Sequence, residues 1–153
     1  MDATAVARRL LEPIPANQLF GLRILRAADA SAEVCMQVTP ELTNVIGSLH
    51  SSGLIALVDA TGLAAVIAAI RDENEFDEVT PLGAEARLEF LAPARGRLVG
   101  RCTLEPAELA TLRRVLDGEH ARATLATAVE IVDADPSLVC RGSFDWKLRR
   151  QPT

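Results

Sequence analysis

Residues 54–70, LIALVDATGLAAVIAAI, form a run of seventeen positions that only Asp59, Thr61 and Gly62 interrupt. A membrane-spanning helix needs about 20 apolar residues, so the run is borderline in length. Asp59 near its centre would cost about 2.5–3.5 kcal/mol on an insertion scale, and the charged residues 71–73 follow at once. We therefore expect no membrane span but a helix that is buried on nearly all sides inside a soluble protein.

Apolar and polar residues alternate on both sides of this helix, which predicts β-strands. Before it, Phe20 begins an alternation that forms a hairpin around a turn at residues 29–31. After it, the same pattern predicts four more strands, at residues 86–90, 98–104, 121–132 and 138–148. Because one apolar helix needs cover on all sides, we expect about six antiparallel strands to form a strongly curved sheet wrapped around it, an α+β fold.

The chain is predicted to form one domain over residues 1–153, since this length is sufficient to enclose a single core. Helical spacing at residues 4–11, ended by two prolines, predicts an N-terminal helical lead over residues 1–17. A second helical pattern at residues 106–118 predicts a short inserted helix. Ser51 or Ser52 is the expected cap of the central helix, which should continue to about Arg71.

Composition narrows the range of partners. The net charge of −5 and the five aromatic residues argue against nucleic-acid binding, which needs a positive face or a stacking platform. The three cysteines have no CxxC spacing, so we expect neither a metal site nor a disulfide framework. The N-terminal residues 1–3 lack the basic and apolar order of a secretory signal, and we expect a reduced, cytoplasmic protein.

The residues with chemical potential cluster where a loop enters the central helix. A helix start presents unpaired backbone N–H groups and a positive dipole, which suit a carbonyl oxygen or a developing oxyanion. Asp59 lies two turns further on, where burial should raise its pKa toward that of a general base. Asn44 and His50 are polar groups at the same entrance. Together these groups could orient a carbonyl, a water molecule and a base.

Each of these residues also has a purely structural interpretation. Asp59 could bond to a neighbouring backbone group or an arginine, and His50 could cap the helix. Gly62 costs about 1 kcal/mol relative to alanine inside a helix, which indicates a close approach. That approach could come from a ligand or from a strand packed on the helix.

Taken together, Asn44, Gly47, His50 and Gly53, with Asp59 nine residues after the histidine, resemble the motif of hotdog-fold acyl-CoA thioesterases of the PaaI type. The predicted central helix within a curved sheet is similar to the hotdog architecture. The segment 88–96, LEFLAPARG, also resembles the strand and turn of that family. The resemblance covers about residues 18–148.

The resemblance implies a site shared across a dimer interface, with coenzyme A only as part of the substrate and no separate cofactor. It implies that Asp59 is the general base or the nucleophile, and that Asn44 and His50 orient the water or the carbonyl. The backbone N–H of Ser51 would polarise the thioester oxygen, and Gly47 would adjoin the substrate.

Further substrate contacts are expected from Thr80, Gly83, Arg87 and Arg95. The family commonly has a serine or threonine early in the strand after the helix, where this chain has Gly83 with Thr80 three residues earlier. Arg87 and Arg95 could bind the phosphates of coenzyme A, although an exposed strand face predicts the same residues. Serines at 51 and 52 replace the usual pair of glycines, which leaves less room beside an acyl-CoA.

The expected function is therefore hydrolysis of an acyl-CoA or acyl-carrier thioester by a homodimer or a dimer of dimers. The serine replacements favour an alternative, a dimer that binds acyl or other apolar ligands without turnover. A hotdog hydratase or dehydratase is a third interpretation, which the spacing between His50 and Asp59 supports least.

Overall fold

The computed structural model describes residues 1–151 and consists of one curved sheet around a central helix. The strands are antiparallel neighbours in the order β1-β2-β4-β5-β6-β3. The elements in chain order are α1 (Ala3–Leu11), α2 (Pro15–Phe20), β1 (Arg23–Ala28), β2 (Ser31–Gln37), α3 (Ser51–Ile67), β3 (Val79–Phe90), β4 (Arg97–Thr103), α4 (Pro106–Leu116), β5 (Arg122–Val132) and β6 (Leu138–Arg150). Two short 3₁₀ helices lie in the connections, Pro40–Leu42 between β2 and α3 and Glu73–Phe76 between α3 and β3. The predicted α+β architecture is confirmed.

The central helix α3 packs into the concave face of the sheet, mainly against β2, β4, β5 and β6. Eleven of its seventeen residues are buried, so the sheet covers it on all but one side. Close packing accounts for Gly62, where an added Cβ would lie 2.3 Å from the Thr127 Oγ1 atom on β5. Of the two explanations for this glycine, helix–strand packing is therefore the one observed. Within residues 1–151, no helix is long and apolar enough to cross a membrane.

One predicted boundary is wrong at the N-terminal end of the sheet. Phe20 was expected to begin a strand, but it is the last residue of α2, and β1 begins at Arg23. Pro15 is the first residue of α2, a position at which proline is favoured because its missing N–H is not needed. The helical lead therefore continues beyond residue 17.

The central helix also ends earlier than predicted, at Ile67 instead of near Arg71. The carbonyl oxygens beyond it are bonded from outside the helix. That of Ala68 accepts the backbone N–H of Ala30 at 3.3 Å, and that of Ala69 accepts a guanidinium N–H of Arg113 on α4. These donors replace the intrahelical bonds that a longer helix would need. The predicted inserted helix is thus present as α4, and it holds the end of α3.

The two edges of the sheet differ. At the β1 edge, α1 supplies side-chain partners: the Thr4 hydroxyl bonds to Ala27, and the Arg8 guanidinium donates to Ile24 O at 3.1 Å. The β3 edge has no such cover within residues 1–151. Positions 82–87 of β3 are all exposed. A strand packed on the central helix would have one face buried, but this segment of β3 has neither face buried. Bare edges of this length are sites where another chain can add a strand.

Candidate functional site

His50 is the N-cap of α3, which corrects the expectation that Ser51 or Ser52 caps it. The Nδ1 atom of His50 accepts the backbone N–H of Ser52 at 3.1 Å and lies 2.8 Å from the Ser52 hydroxyl. An imidazole nitrogen that accepts a backbone N–H carries no proton in the neutral ring. The proton of neutral His50 is therefore on Nε2, which is free to donate to a ligand.

The backbone N–H of Ser51, the first residue of α3, finds no acceptor within residues 1–151. It is one of the unpaired donors that every helix start leaves. The residue is exposed, so an oxygen atom of a small molecule can reach this donor. The dipole of a seventeen-residue helix also favours negative charge at this end.

Asn44 organises the loop that leads into α3. Its Oδ1 atom accepts the backbone N–H groups of Ile46 at 3.1 Å and Ser48 at 3.2 Å, and its Nδ2 donates to the Ser48 hydroxyl at 2.9 Å. Gly47 in the same loop has a φ of 73°, a left-handed conformation that glycine adopts without strain. Asn44 and Gly47 are thus brought to the helix start, where they fix the shape of the loop.

A cavity of about 400 Å³ opens between this loop, the start of α3 and the end of β3. Asn44 and Ser51 line it, together with Ile46 and Phe90, which are 60% and 57% exposed. Neither Ile46 nor Phe90 is among the residues predicted for the site. An apolar residue in a loop beside a motif glycine, and a phenylalanine directly before the turn at residues 91–96, were the available signals.

Asp59 is the only ionisable residue of α3, and it is half-buried. Burial raises the pKa of its carboxyl group, and no other group offsets this effect. Within residues 1–151 its carboxylate forms neither an ion pair nor a hydrogen bond, so the structural interpretation of Asp59 as a partner of an arginine does not apply. An unpaired carboxyl group of raised pKa on a rigid element is suited to accept a proton.

The residues of α3 that the sheet leaves uncovered form a single stripe along the helix. It includes Ile55, Ala56 and Leu63 on either side of Asp59, at the spacing of one helix face. Asp59 and the start of α3 are eight residues apart, which corresponds to about 12 Å along the axis at 1.5 Å per residue. A single thioester group therefore cannot contact both Asp59 and the Ser51 N–H within one chain.

Of the other predicted contact residues, Arg95 alone lies at the cavity mouth. Its Nη2 atom donates to Ile46 O at 2.9 Å, and the side chain is exposed. Arg87 points to the convex side of the sheet and forms a 3.1 Å ion pair with Glu85. Gly83 lies under the Phe144 ring, and Thr80 lines a different cleft, near the end of α3. The structure does not bring these three residues to the helix start.

Two of the three cysteines are unsuited to act as nucleophiles. Burial raises the pKa of the Cys102 thiol to about 12 and that of Cys140 to about 11. Both would remain protonated near neutral pH, and a thiol must ionise to be a strong nucleophile. Neither of these two thiols is therefore an alternative to Asp59 as the reactive side chain.

Solved structures share this architecture. A Pseudomonas aeruginosa protein described as a probable thioesterase of unknown function has a TM-score of 0.80 and 23% identity, with 97% of this chain and 96% of that chain covered. The PaaI protein from the phenylacetic acid degradation operon of Escherichia coli has a TM-score of 0.70 and 19% identity, with 99% and 94% covered. AziG of S. sahachiroi has a TM-score of 0.67 and 26% identity, with 90% and 98% covered.

These similarities establish that the chain has the hotdog fold, as the motif and the order of elements predicted. No curated protein matched the chain. A family model described as a domain of unknown function matched residues 18–148, which is most of the sequence. On this match, the chain belongs to the DUF4442 family.

Proposed function

We propose that this protein hydrolyses the thioester of an acyl-CoA or an acyl-carrier protein. The observation that carries the proposal is Asp59, an unpaired carboxyl group of raised pKa on an otherwise apolar helix. Several solved structures of the same fold are described as thioesterases, which supports this reaction class. The backbone N–H of Ser51, a residue that lines the cavity at the start of α3, is an unpaired hydrogen-bond donor for a carbonyl oxygen.

In the proposed reaction, the Asp59 carboxylate takes a proton from a water molecule, whose oxygen attacks the thioester carbonyl carbon. The negative charge that develops on the carbonyl oxygen is stabilised by the Ser51 N–H and the Nε2–H of His50. The C–S bond then breaks, and the leaving thiolate takes up the proton that Asp59 accepted, which gives a carboxylic acid and a thiol and restores the Asp59 carboxylate. Direct attack by Asp59 on the same carbon would instead expel the thiolate and form a mixed anhydride, which water would hydrolyse in a second step to release the carboxylic acid and restore Asp59.

The proposed site requires two copies of the chain. Because the Ser51 N–H and Asp59 are about 12 Å apart along α3, one helix cannot supply both groups to one thioester. Two α3 helices that lie antiparallel, with their uncovered stripes facing each other, would bring the start of one beside Asp59 of the other. The bare β3 edge provides the surface for such pairing.

Arg95 is proposed to bind a phosphate of coenzyme A at the rim of this site. One nitrogen of its guanidinium group is held by the Ile46 carbonyl, which fixes the side chain beside the cavity. The remaining donors are exposed, and a guanidinium fork is well matched to phosphate oxygens.

The proposal is tested by release of free thiol from a panel of acyl-CoA substrates. Asp59→Asn keeps the size of the side chain but removes the base, and we expect kcat/KM to fall by about 10²- to 10⁴-fold. Asp135→Asn, in the exposed turn between β5 and β6, is the matched control and should retain activity. If the wild type hydrolyses no substrate of the panel, the proposed function is wrong; if Asp59→Asn is as active as the wild type, the role assigned to Asp59 is wrong.

A non-catalytic acyl-binding role is the second candidate. The observation that favours it is the Ser52 hydroxyl, which bonds to His50 at a position where the resemblance implies glycine. Saturable binding of acyl-CoA without release of thiol would select this role.

A further inference from the structure

A second apolar cleft lies at the other end of α3. It is formed between α1, the last two turns of α3 and the beginning of β3, and its volume is about 300 Å³. No ionisable residue lines it, and Thr80 contributes the only side-chain hydroxyl. Its apolar lining includes Leu10, Ile14, Leu63, Ile67, Phe76 and Pro81.

This cleft is continuous with the stripe that contains Asp59. Leu63 follows Asp59 by four residues and Ile67 follows it by eight, so the three side chains lie on one side of α3. The first interval corresponds to about 6 Å along the helix axis. The cleft therefore begins one turn beyond the carboxylate, in the direction opposite to the helix start.

Two of its side chains are more exposed than apolar residues in a core. Leu10 on α1 is 41% exposed, and Ile14, between α1 and α2, is 39% exposed. Their neighbour Leu11 is 4% exposed and anchors α1 on the core. Leu10 and Ile14 thus form a firmly supported wall whose apolar surface is free to contact a ligand.

We propose that this cleft holds the acyl group of the substrate and that Leu10 and Ile14 limit its length. The inference rests on the proposed function, because it assumes that the carbonyl group lies beside Asp59. An engineered cavity of about 150 Å³ binds benzene, so about 300 Å³ has room for about ten to twelve carbon atoms. The occupant is a medium-length or aromatic acyl group, since the cleft has no charged group to pair with a polar one.

The test uses S-alkyl coenzyme A thioethers, which lack the scissile thioester and report binding alone. Calorimetric titration with chains of two to sixteen carbons should show Kd falling about fourfold for each added methylene, the value expected for full burial. The fall should stop at about ten to twelve carbons, when the cleft is full.

Leu10→Trp fills the cleft and should reduce the ratio of S-octyl to S-ethyl affinity at least about tenfold. Ile14→Trp places the same bulk at a second position and should act alike. Leu19→Trp is the matched control, because Leu19 is 74% exposed on α2 and does not line the cleft. This control should bind every probe as the wild type does.

The inference is overturned if Kd does not depend on chain length, or if the two cleft variants keep the wild-type ratio. Failure of the proposed function gives a different result. A protein that hydrolyses no thioester can still show the chain-length dependence, and an active thioesterase can lack it.

Discussion

Asp59 is placed where a ligand can reach it, but its surroundings disfavour the ionised form of its carboxyl group. Its carboxyl group lies on the uncovered stripe of α3, where it can meet a ligand, but it has no charged partner within residues 1–151. Ionisation of a half-buried carboxyl group costs free energy because part of its hydration is lost. We expect the fold to be less stable at neutral pH than it would be with a neutral side chain at this position.

The stability of Asp59→Asn tests this expectation. Because the pKa of Asp59 is raised above its ordinary value of 3.8, the folded state holds the proton to higher pH than the unfolded chain. The free energy of unfolding therefore falls as pH rises from the pKa of Asp59 in the unfolded chain to its higher pKa in the folded state, and the loss persists at higher pH. At pH 7 the variant should be more stable by about 0.5–2 kcal/mol, the range of single stabilising substitutions.

Urea denaturation from pH 4 to pH 8 measures this difference. The advantage of the variant should grow with pH, whereas Asp135→Asn should follow the wild type throughout. A variant that is less stable than the wild type at pH 7 would contradict the assigned cost of burial.

At the scale of elements, the closeness of α3 to the sheet depends on glycines in both. Besides Gly62 on the helix, an alanine Cβ at Gly100 on β4 would lie 2.4 Å from the Thr61 Oγ1 atom, and one at Gly142 on β6 would lie 2.6 Å from a Val58 methyl group. Larger residues at these positions would push the helix away from the sheet. The position of Asp59 therefore depends on small residues several strands away.

Gly62→Ala should destabilise the protein although alanine is the better helix former by about 1 kcal/mol. Its added methyl group would collide with Thr127, and overpacking of a core costs about 1–3 kcal/mol. Thermal unfolding of Gly62→Ala, Thr127→Ala and the double variant gives the coupling between the two positions.

We expect the penalty of Gly62→Ala to shrink in the Thr127→Ala background, because that background removes the colliding side chain. Thr127→Ala has its own cost, since the Thr127 hydroxyl accepts the indole N–H of Trp146 at 3.1 Å. Equal penalties in both backgrounds would show that Thr127 is not the residue that excludes a methyl group.

Hydrophobic periodicity predicted most helices and strands. The errors occur where contacts between residues far apart in the sequence determine the end of an element or its burial. The hairpin turn was predicted, and it contains Asp29 and Ala30 with φ of 53° and 56°. The position at which α3 ends was not predicted, because it depends on Arg113, which donates to the Ala69 carbonyl from 44 residues further along the chain. The exposure of β3 was also missed, since alternation shows which residues share a face but not what covers that face.

For the candidate site, residue identities were accessible from the sequence, but the geometry of the loop was not. The sequence predicts Asn44 and His50 at the start of the central helix and Asp59 two turns further on, and the structure has all three at those places. The separation of Ser51 and Asp59 follows from their spacing along a helix, so it was accessible from the sequence. The sequence does not reveal that Asn44 bonds only within its own loop, because those bonds depend on the three-dimensional shape of the loop.

At the scale of the whole molecule, the bare β3 edge predicts a dimer. We expect the wild type to sediment as a dimer at micromolar concentration. Substitution of both Ala84 and Ala86 with lysine places like charges opposite each other across a two-fold axis between β3 edges. These positions are exposed, so the fold should persist while Kd for dimerisation rises at least about tenfold.

Ala128→Lys is the control, because Ala128 is exposed on the internal strand β5. It adds one lysine to the convex face, away from the β3 edge, and should leave the dimer intact. A wild-type protein that sediments as a monomer would contradict both the dimer and the shared site.

The side-chain bonds between α1 and the β1 edge have a consequence for the course of assembly. In polymer chemistry, a monomer with two reactive ends grows into a chain, whereas one with a single reactive end stops after one coupling. Thr4 and Arg8 already occupy backbone groups along β1, which leaves β3 as the one functional end. If the chain associates by strand addition, we therefore expect association to stop at two molecules, with the N-terminal helix as the chain stopper that prevents fibril growth.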